Sequence, residues 1–359
     1  MADSLPCPAR PVRSPRRTDP RPAEAIHARR ERPEPADASP RRTHPWHHHT
    51  GPRNRPRARL LCRAVPRTWD DALRDERGGE PVRIGVVSLN VCWGLSSTLP
   101  PAKERAAAFG SALEASDARI LNFQEVWTPG LLRVLRRRLP SFPHVAFRRG
   151  AAGWPAGGLV SFSRIPIRSV SYASFRGARP RAGGLLFRSA AAIASSLQGV
   201  LTFELTGHRT VVGNVHLSAN RDGDWTAGNR HHAFQRSQLR MFHRALRDAR
   251  RPDTELVIAS GDFNVPSDSP LYPAVLEEGA WTDPFAEADR PTFHARLLPD
   301  GRPARRIDHL LVSRGPEDRV VTGASLLFPD RVRLADGRDT FLSDHLALSA
   351  EVTLPAPIA

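Results

Sequence analysis

Cysteine is scarce in this 359-residue chain. Cys7, Cys62 and Cys92 are odd in number, widely spaced and free of any CxxC pairing, which excludes a disulfide framework and a thiolate zinc site. Lysine is scarcer still: of 53 lysine and arginine residues, only Lys103 is lysine. The formal charge of +16 is therefore arginine charge. A bias this extreme can follow from coding composition, so it does not by itself argue for a polyanionic partner. Long apolar runs are missing too. The best candidate, GGLLFRSAAAIASSLQGVLTF at 183–203, is interrupted by Arg188 and Gln198 and does not qualify as a bilayer span. The first residues lack the apolar core of a signal peptide, so the expected location is cytoplasmic or peripheral to a membrane. No self-similarity of solenoid period is present.

What is there changes character along the chain. Residues 1–60 hold 14 arginines, 6 acidic residues and 12 prolines, a net +8 (14 − 6). With little to bury and regular hydrogen bonding blocked, this segment reads as a disordered Arg/Pro-rich tail, its HPWHHHT tract solvated rather than metal-binding. Residues 61–80 read as a linker with a short helix near RTWDDALRDE. From 81 to 355 the pattern is that of one catalytic-size domain. RIGVVSLNV, ARILNFQEV, GGLVSFSR, RTVVGNVHLSA, RIDHLLVS and LALSAEVTL read as strands, and PAKERAAAFGSALEASD, PGLLRVLRRRLP and HHAFQRSQLRMFHRALRDA as helices. Helices and strands alternate at first and strands crowd together later, which predicts an α/β layered domain with mixed sheets.

Polar groups gather where these strands end: Asn90, Glu125, His216, the pair Asp262 and Asn264 after the run LVIAS, Asp308, and Asp344-His345 before the last strand. A polar group at the edge of an apolar run is costly to bury without a partner, and turn chemistry explains any one of these better than all six. Carboxylates and amides without thiolates suit a hard cation such as Mg²⁺. Histidines move protons near neutral pH, and an aspartate beside one fixes its tautomer. Such a set predicts metal-assisted hydrolysis of a phosphate ester. Period-two alternation puts Asp262 and Asn264 on one face with Phe263 opposite, and turns His309 away from Asp308. His231, His232 and His243 read as surface residues, Cys92 as a small buried neighbour, and Trp127 and Trp154 as core or rim. Asn214 is balanced between a site role and a bond to a neighbouring loop, Arg164 between structure and phosphate binding.

The motifs SLN, QE, NVHL, GDFN, RIDH and SDH, in that order from about Arg83 to Val352, resemble those of the endonuclease/exonuclease/phosphatase superfamily of metal-dependent phosphoesterases. The resemblance implies a four-layered α/β sandwich of two mixed sheets flanked by helices, and Mg²⁺ as cofactor with Mn²⁺ the alternative. It further implies that Asn90 and Glu125 form the main metal site with Asp344 as a further ligand, and that Asp262 and Asn264 position water and phosphate. His216 would contact the phosphoryl oxygens or aid the leaving group, and His345 would be the general base oriented by Asp308. FQEVW, GGLVSFSRIPI, SLQGVL, and NVHLSA followed by RSQL are similar to the sphingomyelinase-like branch. Two positions depart from relatives: Ile165 stands after Ser-Arg where pancreatic-type deoxyribonucleases carry a glutamate that partners the first histidine, and Gln198 replaces the branch's usual lysine before Gly199. The expected substrate is a phospholipid phosphodiester, with a nucleic acid second and a non-catalytic nucleic-acid- or membrane-binding protein third. An anionic membrane surface is an expected partner and a monomer the expected state.

Overall fold

The computed structural model describes residues 82–94, 98–150, 153–180, 182–298, 302–313 and 321–356. The expectations for residues 1–60 and 61–80 lie outside them.

Two six-stranded mixed sheets form the domain. In chain order the strands are β1 Arg83–Asn90, β2 Ala118–Gln124, β3 His144–Ala146, β4 Val160–Ser163, β5 Ile167–Ser174, β6 Gly199–Leu205, β7 Thr210–His216, β8 Leu256–Asp262, β9 Trp281–Thr282, β10 Asp308–Ser313, β11 Val321–Leu327, β12 Val332–Arg333, β13 Asp339–Thr340 and β14 Ala347–Thr353. One sheet runs β11-β14-β1-β2-β4-β3, the other β5-β6-β7-β8-β10-β9, and β12-β13 form a separate ribbon. Each large sheet has a single parallel pair at its centre, β1 with β2 and β7 with β8, with antiparallel strands outside. The helices are α1 Ala102–Glu114, α2 Pro129–Arg138, α3 Leu185–Leu197, α4 Arg230–Ala249 and the short α5 Tyr272–Val275.

Strand alternation explains the layers. Val87, Leu89, Leu121 and Phe123 pack with Phe109 and Leu113 of α1 and Leu131 and Leu135 of α2. Val211, Val215, Val257 and Ala259 pack with Phe234, Phe242 and Leu246 of α4. The opposite faces meet each other: Ile84, Val86, Ile120 and Leu348 of one sheet with Phe203, Val212, Ile258 and Leu310 of the other. The expected layered sandwich is therefore present.

The face between the sheets is not apolar throughout. Ile84-Val86 gives way to Ser88-Asn90, Ile120 to Asn122-Gln124, Val212 to Asn214-His216 and Ile258 to Ser260-Asp262, all buried. These groups bond across the sandwich: Asn122 Nδ2 donates to Ser260 Oγ (2.9 Å) and Gln124 Nε2 to Asn214 Oδ1 (2.8 Å). Ser161 Oγ donates to Asn122 Oδ1 (2.6 Å). Buried polar side chains persist only when so satisfied. Asn214 thus belongs to this network, not to a loop contact.

Candidate active site

Strand register sets the first row of the site. His216 pairs with Asp262 across β7 and β8, and Asp262 with Asp308 across β8 and β10, so three candidate site residues stand abreast at one edge. The sharp end of β8 needs glycine: a Cβ at Gly261, φ +152°, would lie 2.0 Å from the Val215 carbonyl oxygen. Phe263 points away into the outer core, as alternation predicts. Asn264 breaks the alternation with φ +51°. Its Nδ2 donates to Leu217 O (2.9 Å) and its backbone N–H to Asp262 Oδ1 (2.9 Å), so the DxN pair folds back on itself at the strand end.

The facing sheet supplies Asn90 and Glu125. Asn90 Nδ2 donates to Asp262 Oδ2 (3.0 Å) and Glu125 Oε1 (3.2 Å), while its Oδ1 accepts the Cys92 N–H (3.0 Å). Glu125 lies one residue past β2 with φ +63°, and Cys92 has φ +50°. Non-glycine residues in the left-handed region are uncommon and gather where function demands them. His345 completes the centre. Its Nδ1 is 2.9 Å from Asp308 Oδ2, and its Nε2 lies 3.9 Å from Asp262 Oδ2 and 3.9 Å from Asp344 Oδ1. Phe293 stands edge-on to its ring, and Thr292 Oγ1 accepts the N–H groups of Ile307 and Asp308.

Crowded carboxylates govern the electrostatics. Burial pushes the Asp262 carboxyl up to about 6, against the pull of His345, His216 and the Asn90 amide. Burial opposes charge on His345, yet Asp308, Asp344 and Asp262 together hold its pKa well above the usual imidazole value. Burial drives the Cys92 thiol upward, so it is no nucleophile. All eight sequence-predicted residues lie at this edge of the sandwich, Asn264 and Asp344 at its margin. Asp262, Asp308 and His345 each offer a ligand atom within 4.8 Å of the others. Asn90, Glu125 and Asp262, joined through Asn90 Nδ2, form a second group at this point that could hold a cation.

Three readings need correction. Ile165 lies where Arg164 N bonds Arg119 O, beyond the far end of β4 from the site, in the core between the sheets. It says nothing about the partner of His216. Gln198 is the side chain at that edge, since the next residue, Gly199, pairs with His216; it bonds Leu217 O and Ser218 Oγ instead of the ring. His216 Nδ1 is buried without a hydrogen-bond partner among the described residues, and Trp127 packs beside the ring. Second, His231 and His243 are buried, not surface residues. His243 bonds Ala274 O (3.0 Å), a contact that helix periodicity alone does not disclose. Third, the stretch RIDHLLVS becomes a strand only from Asp308, which opens β10. Arg164 is structural, bonded to Glu114 O and stacked over Phe142.

Arg105 was not legible as a site residue. It is fully buried in α1, and its guanidinium donates to Pro100 O (2.8 Å), Val91 O (2.9 Å), Leu342 O (2.6 Å) and Cys92 O. It thereby ties the loop after Asn90 to the loop before His345. Ser343 Oγ, donating to Asn90 O (2.6 Å), adds a second tie. The only sequence signal was an arginine among helix core positions.

The family model described as Endonuclease/Exonuclease/phosphatase family matches residues 87–345. No curated protein sequence matches the chain. Solved structures do share the fold. Truncated Caenorhabditis elegans TDP2 is 20% identical, with TM-score 0.53, covering 76% of this chain and 97% of that one. D. rerio TDP2 complexed with single strand DNA product is 16% identical, with TM-score 0.55 and coverage of 75% and 98%. Sphingomyelinase C from Streptomyces griseocarneus is 18% identical, with TM-score 0.53 and coverage of 75% and 99%.

Proposed function

The chain belongs to the endonuclease/exonuclease/phosphatase family, and from that membership we propose a divalent-metal-dependent phosphodiesterase that releases a phosphorylated headgroup from a sphingomyelin-like or related phospholipid by water attack at phosphorus. The observation that carries the chemistry is the convergence on Asp262 Oδ2, which has Asn90 Nδ2 at 3.0 Å, His216 Nε2 at 3.5 Å and His345 Nε2 at 3.9 Å. The oxygen-rich donors Asn90, Glu125 and Asp262, with Asp344 as a further oxygen donor beside them, fit a Mg²⁺-type cation, Mn²⁺ being the alternative. Such an ion would polarise a phosphoryl oxygen and offset the negative charge of the carboxylates. His345, its tautomer fixed by Asp308, takes a proton from water at Nε2 whenever it is neutral. Asp262 and Asn264 orient that water, and His216 faces the phosphoryl oxygens.

Support for the lipid comes from the rim. Trp93, three residues past Asn90, and Trp154, in the loop whose Gly158 O accepts the Val126 N–H, are both exposed. A nucleic-acid strand is the second reading, supported by a cleft of about 380 Å³ beside the site, whose lining includes Trp225, Asn264, Phe293, Arg302 and Arg305. Aromatic faces with arginines suit stacked bases. The deciding experiment compares kcat/KM on micellar sphingomyelin, other phospholipids, DNA and RNA at matched salt with Mg²⁺. Headgroup release that EDTA abolishes and Mg²⁺ restores, and that Glu125→Gln lacks, is expected. Strand cleavage without headgroup release would replace the lipid reading, and full turnover in a metal-free sample would refute metal dependence.

A further inference from the structure

Helix α3 is apolar on two sides. At about 100° per residue, Phe187, Ala191 and Ser195 form one stripe, which faces α4: Phe187 meets His231 edge to face, and Gln238 donates to Ser195 Oγ (3.3 Å). Leu185, Leu186, Ile193 and Leu197 fall within roughly 120° of one another on the opposite side. They are 79, 89, 62 and 55% exposed. A surface helix of a soluble domain normally turns polar residues outward. Leu185 and Leu186 are also the most exposed large apolar side chains among the described residues.

Two further facts say what covers this stripe. From Ile167 to Phe203 the chain has no acidic residue but carries Arg168, Arg176, Arg179, Arg181 and Arg188, and Arg176, Arg179 and Arg188 are exposed. The helix also ends at the rim of the site, because Gln198 directly after it bonds Leu217 and Ser218, the residues that follow His216. Exposed aliphatic residues with exposed arginines on the helix and in the segment just before it are the marks of an interfacial helix on an anionic bilayer.

We infer that α3 is a membrane-docking helix that inserts Leu185, Leu186, Ile193 and Leu197 into an anionic phospholipid surface and seats the site mouth against it. This deepens the lipid reading above and rests on it only for the purpose of docking, not for its physics.

The test uses the full chain and phosphatidylcholine–phosphatidylserine vesicles in cosedimentation, at low salt and at roughly 0.5 M salt, where charge attraction is largely screened. Binding that survives high salt is expected for the wild type. The double variants Leu185→Ser/Leu186→Ser and Ile193→Ser/Leu197→Ser should each weaken it by on the order of tenfold or more. Their melting temperature and their turnover of a soluble phosphodiester should not change, and Leu185→Phe/Leu186→Phe should restore binding. Unchanged vesicle binding in both serine pairs would overturn the inference. So would serine pairs that instead abolish self-association, since a second copy would then be the occupant. A wild type that docks through α3 yet hydrolyses no phospholipid would refute the substrate reading and uphold the docking helix.

Discussion

At the scale of single residues, the proposed chemistry gives His345 the role of base and Asp308 that of orienter. The 2.9 Å Nδ1 contact occupies that nitrogen and leaves Nε2 to serve as the base in that proposal. His345→Ala should cost roughly 10²–10⁴ in kcat. Asp308→Asn should cost less and reshape the pH–rate profile, because the carboxylate that raises the imidazole pKa is gone. Equal losses with identical pH profiles would argue against the pairing. Arg105 acts at a distance from the chemistry, through the loops it bonds. Each buried carbonyl left unpaired costs roughly 1–3 kcal/mol, so Arg105→Met should lower unfolding free energy by several kcal/mol and depress activity with it. A denaturation midpoint equal to the wild type's would show that those carbonyls find other partners.

At the scale of elements, β8 sets the centre of the candidate site. It holds Asp262 between His216 and Asp308 by register, and its close approach to β7 depends on Gly261. Gly261→Ala forces either the Val215 carbonyl or the end of β8 to move. The expected cost is on the order of 1–3 kcal/mol, with a larger fall in activity than in stability, because the displaced residue is next to Asp262. Urea unfolding and kcat measured together check this; unaltered kcat would mean the shift is taken up in β7.

At the scale of the whole molecule, a second buried polar cluster bears on acid stability. Asp283 accepts from Arg306 Nη1 (2.5 Å) and Tyr272 Oη (2.6 Å) and lies 3.5 Å from His309 Nδ1. Burial alone would raise the Asp283 carboxyl, but His309, Arg306 and Tyr272 hold it far below the usual carboxylate range. A depressed folded pKa stabilises the fold above the unfolded value of about 3.9, and that contribution is lost as pH falls below it. Asp283→Asn should therefore cost about 3–5 kcal/mol at neutral pH, the usual penalty for breaking a buried pair. It should also flatten the acid limb of the stability curve. Thermal unfolding across pH checks both, and an acid limb as steep as the wild type's would assign it to other carboxylates.

Strands β1, β2, β4, β7, β8, β10 and β14, helices α1, α2 and α4, and the edge residues Asn90, Glu125, His216, Asp262, Asp308 and His345 were legible because they depend on local periodicity: a stripe of period two running from apolar to polar discloses both a buried face and its polar end. The outward turn of His309 followed from the same rule, and the structure keeps it, with its Nε2 on Val265 O at 2.8 Å. What only the tertiary structure decided is everything that rests on pairing between distant segments. Asn90 and Asp262 are 172 residues apart, and Arg105 and Leu342 are 237; no local pattern encodes such contacts. The distance of Ile165 from His216, the burial of His231 and His243, and the exposed side of α3 belong to the same class. Alternation tells which face a side chain takes, but only packing determines what stands opposite that face.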